Sequence, residues 1–125
     1  MSITRDNVQQ YLDDMKVAVI NKRYTIAARE VNDRLFEEYL LSEAKREEIL
    51  LSLCVDDFCK TVPNEDPRYP HEILYIFGKD VVLMPRFGDK ETTVSLYIKF
   101  NKLEGNYMIV ISFHEQQFPL RYMFK

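Results

Sequence analysis

The chain has 125 residues, 46% of them hydrophobic and 30% charged, with only three glycines and five prolines. That is enough apolar material for one ordinary domain, and the composition excludes a disordered or fibrous chain. The formal net charge of −3 argues against general nucleic-acid binding, which draws most of its affinity from cationic contacts to phosphate.

Met1 to Asp6 has no apolar signal core. Val8, Tyr11, Leu12, Met15 and Val19 then follow helical spacing, with Thr4 or Asp6 as the cap. Asn21-Lys22-Arg23 breaks that pattern. Thr25 reads as the cap of a second helix carrying Ala28, Val31, Leu35, Phe36 and Tyr39. Ser42 caps a third, with Glu43 in its first turn and Ile49, Leu50 and Leu53 as its apolar stripe. Asp56 to Lys60 reads as one more helical turn. Cys54 and Cys59 have no companions for a zinc set, and their spacing near a helix end makes a poor disulfide; reduced thiols in a cytosolic protein are expected. Thr61 to Pro70 holds Pro63, Pro67 and Pro70 and reads as a loop.

Strand patterns follow. Ile73–Phe77 and Val81–Met84 flank Gly78-Lys79-Asp80, which reads as a hairpin turn. Thr93 to Lys102 and Tyr107 to His114 pair as a second hairpin around Leu103-Glu104-Gly105-Asn106, and Leu120 to Phe124 is a candidate edge strand. No run is long enough to span a bilayer as a helix; Met108 to Ile111 is four residues. The expected fold is α+β: about three N-terminal helices packed on a four- to five-stranded antiparallel sheet. It is one domain over 1–125, with a helical half over about 1–61 and a sheet half over about 72–125. Charge divides between the halves. Residues 1–72 carry ten Lys and Arg against fifteen Asp and Glu, a balance of −5; residues 73–125 carry seven against five, a balance of +2.

The basic half holds the residues with chemistry. Ser95-Leu96-Tyr97-Ile98-Lys99-Phe100 alternates, placing Tyr97 and Lys99 on one face and Leu96, Ile98 and Phe100 on the other. The next strand is apolar on both faces and turns polar only at its end, where it delivers His114 to a sheet rim. A histidine, a tyrosine and lysines around a small sheet can cleave RNA without a metal: the 2′-hydroxyl attacks the adjacent phosphate, a base takes its proton, cations hold the phosphate and an acid protonates the leaving 5′-oxygen. His114 suits acid or base, since imidazole titrates at roughly 6.5. Lys60, Lys99 and Arg86 suit the phosphate, and Tyr97 suits a phosphate oxygen or a stacked base. Each also has a plain structural reading: Lys60 as a solvated helix-end lysine, Tyr97 as an amphipathic sheet residue, His114 as a strand-end cap, Lys99 and Arg86 as solubilising charges, and Glu72 as part of a strand start. No His, Cys, Asp and Glu set has metal-ligand spacing, and no cofactor motif is present.

Three short motifs carry a family resemblance: Asp57-Phe58-Cys59-Lys60, Tyr97-Ile98-Lys99 and Val110-Ile111-Ser112-Phe113. In their order and spacing, over about residues 24 to 115, the chain resembles the MqsR-type motility quorum-sensing regulator toxins of the RelE-like ribonuclease group. The resemblance implies a RelE-like fold, cleavage of mRNA without a cofactor, and a cognate antitoxin protein as partner. By position it puts Lys60 and Tyr97 in the ribonuclease site. The family's glutamine before the first strand falls on Glu72, and its lysine after the Ser-Phe pair falls on His114. Those departures make Glu72 and His114 the acid–base candidates beside Lys60 and Tyr97, with Lys99 and Arg86 as substrate-binding residues. The alternative reading is a non-catalytic binding protein, an immunity protein or an inactive toxin relative, that offers its acidic surface to a basic partner.

Overall fold

The computed structural model describes residues 2–125. In chain order they form α1 (Arg5–Ile20), β1 (Tyr24–Ile26), α2 (Glu30–Glu38), α3 (Glu43–Ser52), a 3-10 turn (Val55–Asp57), β2 (Phe58–Pro63), β3 (Ile73–Leu83), β4 (Thr92–Lys102) and β5 (Met108–Glu115). The fold is α+β, and the strands lie in the order β1-β5-β4-β3-β2. The sheet is mixed, which corrects the expectation of an antiparallel one: β1 runs parallel to β5, pairing Tyr24 with Met108 and Ile26 with Val110.

Helix starts follow their caps. Thr4 Oγ1 accepts from the Asn7 amide at 3.1 Å while the Thr4 amide donates to Asn7 Oδ1 at 2.9 Å, a reciprocal pair that opens α1. Ser42 Oγ accepts from the Lys45 amide to open α3. Thr25 caps nothing. It lies in β1, and α2 begins five residues later behind Arg29, whose side chain makes no capping bond.

Two further expectations change in the sheet. Gly78 does not turn the chain; it sits in the middle of the continuous eleven-residue strand β3. The last residues explain why a glycine is there. A Cβ on Gly78 would lie 2.5 Å from Tyr122 Oη and 2.6 Å from Leu120 Cδ1, so the segment 116–125 passes directly over it. That segment is irregular rather than an edge strand. It is tied down by Gln116 Nε2 donating to the Leu96 carbonyl, by the Met123 amide donating to the Phe58 carbonyl, and by Phe124 stacked on Phe58. The second change is that Phe58 to Pro63 forms β2 instead of ending a helix and entering a loop.

One face of the sheet carries Phe77, Leu96, Ile98, Phe100, Val110 and Phe113, all fully buried with Val8, Leu12, Met15 and Val19 of α1 and Ile49 and Leu50 of α3 in a single core. The opposite face carries Tyr97, Lys99, Ser112 and His114, and is covered by the 116–125 segment, by the loop before β3 and by the residues that open α2.

Candidate functional site

Ladder register decides which side chains meet. Tyr97 pairs with His114 and Lys99 with Ser112, so these four project from one face of β4 and β5. The tyrosine and histidine rings stack with centroids 5.1 Å apart and planes 15° from parallel. A bulge in β5 sets this register: Ser112 faces Lys99, but Val110 rather than Ile111 faces Phe100. The extra residue, Ile111, keeps Val110 and Phe113 in the core while Ser112 and His114 point outward.

The bulge falls where β1 stops, leaving β5 without a strand neighbour on that side. Side chains take the strand's place. Asn32, fully buried, donates through Nδ2 to the carbonyls of Ala27 and Ile111 and accepts through Oδ1 from the Phe113 amide at 2.8 Å. Arg29 Nη1 donates to the Ile111 carbonyl at 3.2 Å and to Ser112 Oγ at 2.7 Å. This network carries Arg29 from the start of α2 onto the Tyr97–His114 face.

The outcome is a pocket of about 200 Å³ lined by Arg29, Tyr97, Lys99, Ser112 and His114, with Val31, Gln117 and Phe118 closing it. Its electrostatics follow from burial among cations. Burial lowers the His114 pKa from its ordinary 6.5, with Arg29 and Lys99 acting in the same direction against the hydrogen bond to the Glu115 carbonyl. That bond, 2.9 Å from Nδ1, requires Nδ1 to carry the proton. Neutral His114 therefore presents an unprotonated Nε2. Burial, then Arg29, lowers the Lys99 pKa below its ordinary 10.5, which makes its ammonium a readier proton donor. Burial, then Cys59, raises that of Tyr97, so its hydroxyl keeps its proton.

The other sequence-derived candidates lie elsewhere. Lys60 shares the face, in the row Lys60–Ile76–Lys99–Ser112, but sits on the outer strand β2 and does not line the pocket. Two strand spacings separate its backbone from that of Lys99, about 10 Å. The rest of its motif is structural: Asp57 accepts from the Cys54 amide and pairs with Lys79 at 3.3 Å, Phe58 is core, and Cys59 is the buried extra residue of a β2 bulge. Glu72 Oε1 accepts from Asn64 Nδ2 at 3.0 Å and Asn101 Nδ2 at 2.9 Å, which fastens the loop to the sheet. Arg86 donates to the carbonyls of Phe36 and Glu37, closing the C-terminal end of α2. Arg29 and Gln117 join the pocket without having stood out in the sequence, and Ser112, a motif position there with no role assigned, joins it too. Arg29 and Gln117 flank the strand residues at a distance no periodicity reports; only the polar Ser112 inside an apolar strand was a visible signal.

Comparison with known protein families, with curated proteins and with solved structures finds no match to the chain. Among the described residues, no helix is long and apolar enough to cross a membrane, and no three His, Cys, Asp or Glu side chains gather as a metal site.

Proposed function

We propose that this protein is a RelE-like, MqsR-type toxin: a metal-independent endoribonuclease that cuts mRNA in the cytoplasm and is silenced by a cognate antitoxin protein. The observation that carries the reading is the meeting of a neutral imidazole, a guanidinium and an ammonium around one pocket. Arg29 and Lys99 bind the scissile phosphate, and Tyr97 donates its hydroxyl to a non-bridging oxygen. His114 Nε2 takes the proton of the 2′-hydroxyl, whose oxygen bonds to phosphorus. The bond from phosphorus to the 5′-oxygen breaks, and Lys99 gives that oxygen a proton. The products are a 2′,3′-cyclic phosphate and a free 5′-hydroxyl; water then restores both protonation states. Lys60, outside the pocket, attracts the neighbouring phosphate of the strand, and Glu72 holds the loop.

Incubation of purified protein with mRNA tests this. Cyclic-phosphate ends should form and persist in EDTA, and induced expression should arrest growth while the RNA is degraded. Cleavage that stops in EDTA and returns with magnesium or manganese overturns the mechanism; no cleavage and no arrest overturns the toxin. The non-catalytic reading then takes its place. It is favoured by Phe87, 95% exposed on a surface it shares with Phe36, Arg86 and the carboxylates of Asp33 and Glu37, an apolar patch with acidic residues in excess that suits a basic protein.

A further inference from the structure

The pocket does not end at His114. A second cavity of about 240 Å³ lies on the other side, and the two share Val31, His114 and Gln117 as walls. They form one cleft in two lobes, with the imidazole at the divide. The lobes differ in charge. The first holds the cations Arg29 and Lys99. The second is lined by Arg34, Glu38, Glu115 and Gln117. Arg34 is answered by Glu30 at 3.4 Å, while neither Glu38 nor Glu115 has an ion-pair partner among the described residues. Both carboxylates line the same lobe, Glu38 from the end of α2 and Glu115 from the end of β5.

Two carboxylates against the single cation Arg34 leave this lobe net negative, so a strand crossing the cleft lays its phosphates in the first lobe instead. What a carboxylate does accept is an N–H from the edge of an unstacked base. The amino groups of cytosine N4 and adenine N6 are such donors, and guanine offers N1–H beside its amino group. Uracil has the single donor N3–H, flanked by two carbonyl oxygens that a carboxylate repels. Chain direction fixes which base enters. The nucleotide that gives its 2′-hydroxyl to His114 lies against the shared wall, so its base falls into the second lobe while its 3′-phosphate lies with Arg29 and Lys99.

Resting on the ribonuclease reading above, we infer that the second lobe is a base-reading subsite for the nucleotide 5′ of the cut. There Glu38 and Glu115 select amino-bearing bases and reject uracil.

Four DNA oligonucleotides, each with one ribonucleotide at the same place, test this. Only that nucleotide has a 2′-hydroxyl, so each has one cleavable bond and one base beside it. The A, C and G substrates should be cut at least tenfold faster than the U substrate, in keeping with discrimination of about 1–3 kcal/mol per well-paired base. In the double variant Glu38→Gln with Glu115→Gln, whose amides both donate and accept, the gap should close and U should be cut nearly as fast as the rest. Equal rates on all four in the unaltered protein, or a gap that the double variant leaves unchanged, overturns the subsite and leaves the nuclease standing. If none is cut, the ribonuclease reading fails instead, and fluorescence anisotropy with the all-deoxy forms decides the subsite alone. Weaker binding of the U form upholds it, and equal or absent binding ends it.

Discussion

The two faces of this sheet are made by the same strands and built by opposite rules. On the helix side, Phe77, Leu96, Ile98, Phe100 and Phe113 interlock with α1 and α3 and are essentially inaccessible to solvent. Across the backbone, Tyr97, Lys99 and His114 are half-buried, with no helix packed over them, only the 116–125 segment and the start of α2. A closed apolar face supplies stability and tolerates no gap. A polar face under a thin cover keeps its groups partly desolvated, enough to shift their pKa values, and leaves them reachable. Alternation along β4 lets one strand serve both purposes, each residue committed to a single face.

The widest separation between the faces should come from Phe100→Ala. It empties a fully buried site of the core and should lower stability by about 3–5 kcal/mol in chemical denaturation, with cleavage per folded molecule little changed. Lys99→Met should do the reverse. Half-buried and, among the described residues, without a carboxylate within ion-pair distance, Lys99 should cost little stability when replaced, while RNA cleavage falls about 100-fold, near 2.7 kcal/mol in the barrier. If both variants lose stability and activity in proportion, the faces are not separable.

The pH dependence sharpens the same contrast. His114 has a folded pKa below its ordinary 6.5, so the unfolded chain binds that proton more readily. Its contribution to stability is whole above about pH 6.5 and is lost as pH falls through the folded value. Cleavage should decline over that same acid window, and at the alkaline end should fall below pH 10.5 as Lys99 loses its proton. His114→Ala should flatten the stability curve just below pH 6.5; a slope that survives there would belong to other groups.

Gly78→Ala should act on the cover alone. The added methyl meets only the ends of tail side chains, Tyr122 Oη at 2.5 Å and Leu120 Cδ1 at 2.6 Å. The expected cost is about 1–2 kcal/mol, with amide exchange quickening across 116–125 before it quickens in β4. The smallest effect belongs to Arg86→Ala. Loss of two bonds to the end of α2 should cost about 1 kcal/mol and leave cleavage untouched; a slower rate at equal stability would return Arg86 to the site.

Much of the helix side was legible because its signals are periodic. The stripes of α1 and α3, the caps Thr4 and Ser42, and the alternation of β4 all survive in the structure. So does the turn before β5, where Gly105 adopts a positive φ of 73°. What escaped depends on neighbours distant in sequence. Three residues of β1 are too few for a pattern, and their parallel partner is at the far end of the chain. Gly78-Lys79-Asp80 has the composition of a turn, yet the glycine answers a segment some forty residues later that crosses its face. Tyr97, Lys99 and His114 could be placed on one face from alternation and strand order. Arg29 could not, because a bulge in β5 and the side chain of Asn32 bring it there.

The parallel closure of the sheet also has a consequence in time. Tyr24 finds its partner Met108 only 84 residues further along. At a synthesis rate of about 5–20 residues per second, that interval is roughly 4–17 s, during which β1 and α1 have emerged but β5 has not. Contacts of such range are also the slow ones to form. The first lobe of the cleft needs Arg29 from one side of the interval and His114 and Gln117 from the other. A ribosome partway through the message therefore carries no assembled cleft, and whatever chemistry the pocket performs begins only on a chain that has been made through Phe118.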